Sequence, residues 1–462
     1  MITMKKNNII IKISFLFCLA FASCNVLDQD NPNDVEQTTV FETADGVRAA
    51  KTGMYASLQT RGYYGGYFAM AADAYSDNAA TGGYFVNSLD EMGAKALTSS
   101  NIIVEEVYVS VYNSINLANN ILANIDNSAL GFEAQERNTI KGEALFVRAL
   151  GHFDALRTWG EHWDQTSEYG VPVVTKPQGF SDVLPRSTVT RTYDAILADL
   201  EAADAALKGI DNGKGYVSEY AVKALLARVY LYAGNKTKAA EYAGTVIDSK
   251  NYSLFAKDDF KNIYTNRQTD ESIFELVFDP QNRSNFNYFT YSRLEALRTE
   301  LTFMVSKDLN DFFKTRKDDI RASTTDYVNV GEKSGISPDG RSEKYRGEQT
   351  KDNPAYVLRY AEMLLIRAEG KGVAGLSDLN TLREARGMEA IKASEVATAT
   401  AYSDAVQAER RAEFNMEGHR YFDLARLQKV SEILGTGVLP VFPIPYRELA
   451  ATNFKVKQYP GY

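Results

Sequence analysis

The sequence predicts a mainly helical fold, because apolar residues recur at helical spacing and the helical segments come in pairs joined by a few residues. Long stretches with no helical period separate the pairs. The expected architecture is therefore four degenerate helix pairs plus a long-loop half with minor β structure.

The clearest pair is SEYAVKALLARVYLYAGN and the segment after it. Val222, Leu225, Leu226, Val229 and Ala233 form one stripe, Ser218 stands at an N-cap, Glu219 suits the first turn and Gly234 supplies a left-handed stop. A second helix, Thr237 to Ser249, carries Ala239, Ala243, Val246 and Ile247. So short a connection makes the two antiparallel, a hairpin of about 34 residues, the length of a tetratricopeptide unit. Val104–Ile125 and Ala134–Thr158 make an earlier pair, and Thr192–Leu207 leads into the hairpin just described. Tyr356–Glu369 with Leu376–Arg386, and one long helix over Asp404–Gln428, complete the helical set. Residues 60–100, 160–190, 252–350 and 430–462 are read as irregular excursions, with one buried strand at Ser272–Phe278. Loops this long in a compact protein usually carry function.

Composition narrows the function. The chain has 462 residues and a formal charge of −9, which excludes nucleic acid, whose phosphates demand a basic face. Aromatic content is weighted to 28 Tyr and 23 Phe against two Trp. Tyrosine suits half-wet surfaces, because its ring packs while its hydroxyl stays hydrated.

Residues 1–23 read as a secretory signal: Lys5 and Lys6, then an apolar run from Ile9 to Ala22 broken by Lys12, then small residues before Cys24. The tetrapeptide FASC resembles a bacterial lipobox, with Phe21 where Leu is usual, so Cys24 is the expected lipidation site. One myristoyl-length chain binds membranes only marginally, whereas the diacylglycerol of a bacterial lipoprotein gives stable anchoring. Cleavage would remove three lysines and lower the charge to −12, leaving a mature chain whose only cysteine is its first residue. Residues 24–40 hold Asp28, Asp30, Asp34 and Glu36 and no base, which predicts an acidic, solvated tether. Residues 41–462 are then a single domain.

No HExxH, GxSxG, cysteine cluster, EF-hand-like run or phosphate-cradling glycine loop is present, so neither a cofactor, a metal nor a catalytic residue is expected. His419 sits among Arg410, Arg411, Glu413, Glu417, Arg420 and Asp423 at spacings that favour ion pairs on one helix, so it is read as structural. The stretch Arg61–Gly93 sets Tyr63, Tyr64, Tyr67 and Tyr84 among six glycines, with Asp77 and Asn78 between them. A ring displayed by a glycine-rich loop can stack on the apolar face of a sugar while Asp or Asn binds its hydroxyls. A later excursion, RSNFNYFTYSRL, offers Tyr288 and Tyr291. Covering a ring face contributes roughly 1 kcal/mol, and millimolar binding needs about −4 kcal/mol, so several rings acting together are expected to give weak to moderate affinity.

Several blocks resemble the SusD-like (RagB/SusD) family. They are GEALFVRALGHFDALRTWG with Gly170, Val171 and Pro172 after it, AVKALLARVYLYAGN, RYAEMLLIRAE, and above all ERRAEFNMEGHRYFDLARL, followed by VFPIPYREL and QYPGY. Tyr459 departs from the family's usual Asn, and REARG is shifted. The blocks run in family order from about residue 102 to residue 462. The resemblance implies four tetratricopeptide-like units and a loop-rich binding half. It implies a cell-surface outer-membrane lipoprotein, not an enzyme, that binds oligosaccharide or peptide and passes it to a SusC-like TonB-dependent outer-membrane barrel, which the helix pairs face. A surface glycosidase-like enzyme and a protein-binding scaffold are the alternatives.

Overall fold

The computed structural model describes residues 37–81, 87–179, 182–284, 303–326, 341–342, 344–345 and 352–462. Residues 37–40, assigned to the tether, form one helical turn against the first long helix. That helix, α1 (Ala44–Leu58), is capped by Thr43, whose side chain accepts the Gly46 N–H. It is followed by α2 (Tyr67–Ala74) and a short strand β1 (Ala79–Thr81).

The helical half is built by sequential packing. Helices α3 (Ile102–Asn124) and α4 (Ala134–Trp159) form the first pair, and α5 (Val189–Ala206) packs on α4. Next come α6 (Glu219–Tyr232) and α7 (Lys236–Asp248). Ser218 caps α6 by accepting the Ala221 N–H at 3.3 Å, and Gly234 turns the chain at φ +78°. Both features match the sequence reading. Val222, Leu225, Leu226 and Val229 are fully buried.

Strand β2 (Ser272–Leu276) pairs antiparallel with β4 (Ala355–Arg359), while β1 pairs with β3 (Phe303–Val305). Among the described residues the sheets are two-stranded. The helix expected from Tyr356 therefore starts later: α8 (Tyr360–Lys371) follows the strand directly. Helix α9 (Leu376–Ala385) packs on α8, as does α10 (Ala399–Glu413).

The long helix expected over Asp404–Gln428 is two helices. α10 stops at Glu413, and α11 (Arg420–Arg426) begins after a turn in which Met416 and Gly418 have φ of +59° and +78°. A side chain at Gly418 would also place its Cβ 2.6 Å from Ala69 Cα, so the turn is pressed against α2. One hydrophobic core runs through both halves, from Val47 to Val456.

Candidate functional site

The late motif forms a buried ion-pair cluster rather than pairs along one helix. The Glu413 carboxylate accepts from Arg359 Nη1 at 2.9 Å, Arg386 Nε and Nη2 at 3.1 Å, and Arg321 Nη1 at 3.2 Å. Glu409 binds Arg316, Arg321 and Arg383, and Glu417 binds Arg359 and Lys344. Burial alone would raise the pKa of Glu413, but the guanidinium groups of Arg386, Arg359 and Arg321 outweigh it and hold the carboxyl well below its ordinary range. His419 is buried and stacks on Phe414 at 4.4 Å. Burial and then Arg228 and Arg410 keep its pKa well below the ordinary histidine value. A neutral, stacked imidazole of this kind has a structural role.

The turn after α10 reaches across to the end of α2 and the segment following it. Gly418 N–H donates to Asp73 Oδ2 at 2.6 Å. Arg420 binds Asp77 through Nε and Nη2 at 2.7 and 2.9 Å, and Arg411 Nη2 lies 3.1 Å from the same carboxylate. Arg411 Nε also donates to Asn78 Oδ1 at 3.0 Å. Burial opposes ionisation of Asp77, yet Arg420 and Arg411 lower its pKa overall. At Asp73 burial outweighs the Gly418 N–H, Asn78 and the charge of Lys344, and pushes the pKa up to about 7. Lys95 donates its ammonium to the carbonyls of Ala74 and Ser76 at 2.8 and 2.7 Å, with a pKa lowered by burial to about 8.

These contacts fix the floor of a cleft of about 530 Å³ whose walls include Asp77, Thr81, Asp90, Lys95, Ser306 and Asp308. The β1–β3 ladder sets Thr81 opposite Phe303. In sequence, Tyr84 follows Thr81 closely, and Tyr288 and Tyr291 precede Phe303. Tyr84, Tyr288, Tyr291 and Cys24 themselves lie outside the described residues.

The other expected ring platforms are core residues. Tyr63 and Tyr64 donate their hydroxyls to Asp154 Oδ2 at 2.6 and 2.8 Å, their rings 4.6 Å apart and packed on Phe68. Tyr67 is buried beneath Arg61, whose guanidinium lies 5.2 Å from its ring centre. The glycine beside Tyr63 serves close packing rather than display: a Cβ on Gly62 would lie 2.5 Å from the Glu106 carbonyl of α3. Asp77 and Asn78 are likewise committed to Arg420 and Arg411, and act as supports of the cleft. Lys95 and Asp73 were not singled out from sequence, and their partners lie too far along the chain for a local pattern to reveal them. Among the described residues, no three or more His, Cys, Asp or Glu side chains are grouped to hold a metal ion. No helix among those residues is long and apolar enough to cross a membrane.

A family model described as the SusD family matches residues 211–461, more than half of the chain. The chain belongs to the SusD family. A second SusD-like model, described as starch-binding associating with outer membrane, matches residues 25–231. SusD-like protein P2 of Formosa agariphila is 23% identical over 98% of this chain and 99% of its own length. A SusD superfamily crystal structure from Bacteroides thetaiotaomicron superposes with a TM-score of 0.78 at 22% identity, covering 90% of this chain and all of that one. A laminarin-binding SusD-like protein superposes at 0.75 with 23% identity, covering 90% and 99%. At these identities the superpositions establish a shared SusD fold.

Proposed function

We propose that this SusD-family chain is a cell-surface lipoprotein, anchored through Cys24, that binds oligosaccharide and delivers it to a SusC-like TonB-dependent outer-membrane barrel. The β1–β3 ladder beside one polar cleft carries the reading, because the residues it pairs border, in sequence, the aromatic-rich segments around Tyr84 and around Tyr288 and Tyr291. Tyr84, Tyr288 and Tyr291 are the proposed stacking platforms, with the cleft's Asp90 and Asp308 as hydroxyl acceptors. Sugars suit such a site because their ring faces are apolar and their edges are hydroxyls. A relative named for laminarin binding supports a glycan over a peptide. The role is binding rather than catalysis, in keeping with such names and with the structural use of His419.

Purification of the tagged full-length protein from outer membranes in mild detergent tests the whole reading. A co-purifying β-barrel, and loss of membrane retention on Cys24→Ser, are the expected results. A protein that emerges alone in several detergents, or a C24S variant that stays membrane-bound, would overturn delivery and anchoring respectively.

A further inference from the structure

A second groove, of about 290 Å³, lies between α3, residues 172–178 with 182–184, and the C-terminal region around Glu448 and Thr452. It shares no lining residue with the β1–β3 cleft. Its size falls near the lower end of the roughly 300–1,000 Å³ spanned by small-molecule sites. One wall is apolar: half-buried Tyr112, its ring 4.6 Å from that of Tyr108, faces the groove with Pro172 and partly exposed Leu184.

The rest of the lining offers hydrogen-bonding groups with spare capacity. Asn113 is exposed, and among the described residues its side chain has no hydrogen-bond partner. Asn116 uses its Oδ1 to accept the Gln178 N–H at 2.8 Å, which leaves its NH2 for a ligand. Asp182 uses Oδ2 to accept the Gly179 N–H, which leaves Oδ1. Glu448, which lines the groove with Tyr108, is raised in pKa by burial, which marks a carboxylate partly withdrawn from water. Amide donors and carboxylate acceptors therefore surround an aromatic wall.

We infer that this groove is a second sugar-binding site and that its ligand is an uncharged oligosaccharide segment. Hydroxyl groups both donate and accept, so they satisfy amide NH2 and carboxylate oxygen together. Asp182 and Glu448 would repel a uronic or sulfated sugar. Arg186, whose charge acts on Tyr108 and Tyr112, spends its Nε and Nη1 on the carbonyls of Lys457, Trp159 and Gly170. A chain that binds through both sites gains avidity, because the second contact forms at a high effective concentration. The inference rests on the glycan-binding reading above.

Hydrogen–deuterium exchange of the soluble chain from residue 25 onward, with laminarihexaose or maltohexaose as probe, separates the two claims. Protection is expected both in peptides around 76–95 and in peptides covering 108–116 and 172–179. In the double variant Asn113→Ala with Glu448→Gln, groove protection should need at least tenfold more probe, with cleft protection unchanged. Unaltered thermal unfolding of this variant shows that the fold is intact, as the exposed Asn113 and the conservative Gln permit. Trigalacturonic acid should leave the groove unprotected. Protection of the cleft alone, groove protection indifferent to the double variant, or groove protection by the acidic probe would overturn the second site and leave the first standing. No protection anywhere by either neutral probe would overturn both.

Discussion

Replacing Glu413 by Gln removes one negative charge from a place where Arg321, Arg359 and Arg386 converge, all of them buried. The amide keeps the shape and one acceptor oxygen, but its NH2 must face a guanidinium. Each arginine retains another acid: Arg321 has Asp319 and Glu409, Arg386 has Glu271, and Arg359 has Glu417. The loss is thus partial for each one but is repeated three times. Breaking a buried pair by removing one partner costs about 3–5 kcal/mol, and the expected destabilisation falls in that range. Urea unfolding of the soluble chain, followed by circular dichroism, should show a midpoint shifted to lower urea with little change in slope. Glu432→Gln, at an exposed position, serves as the control and should move by under about 0.5 kcal/mol. An E413Q midpoint within that same margin of wild type would refute the claim that this cluster holds the fold together.

Acid sensitivity follows from the histidines. His152 and His162 are lowered to about 3 by burial, and His419 is also well below its ordinary value, so the folded protein resists protonation that the unfolded chain accepts below about pH 6.5. One unit below that point, three such groups cost about 4 kcal/mol. Asp73 works the other way, because its pKa is raised to about 7: the folded state takes its proton first, returning about 2 kcal/mol between pH 7.5 and 5.5. Stability measured in urea should therefore fall by about 2 kcal/mol over that window, and a flat profile would contradict the neutral histidines. Gly418→Ala should cost about 2–4 kcal/mol in the same assay, from a left-handed backbone and a Cβ driven into α2. Asp77→Asn should loosen the cleft floor, weakening glycan affinity several-fold at a stability cost of about 1–2 kcal/mol, with faster hydrogen exchange over residues 76–81.

What could be read in the sequence was whatever depends on neighbours along the chain. Helix α6 was legible to its cap, because Ser218 and Gly234 act on residues three or four positions away. The family blocks fixed the order of the helical half in the same way. Tyr356–Arg359 was misread because its strand partner, Ser272–Leu276, lies about 80 residues upstream, and nothing local separates a buried strand from the first turn of a helix. The long helix over 404–428 broke at Met416 and Gly418, where contact with α2 sets the backbone. The tyrosines after Arg61 looked like display residues because glycines flank them. Tyr63 and Tyr64 are held inside by Asp154 on α4, some 90 residues away. The cleft was invisible for the same reason, since its supports join Asp77 to arginines more than 330 residues later.

Affinity electrophoresis of the soluble chain through gels containing laminarin, starch or other neutral glycans measures the central claim, that this protein binds sugar at the β1–β3 cleft. The account predicts retardation by at least one neutral glycan, and its loss in the folded triple variant Tyr84→Ala, Tyr288→Ala, Tyr291→Ala. Unretarded migration through every gel, or a triple variant retarded as strongly as wild type, would contradict it.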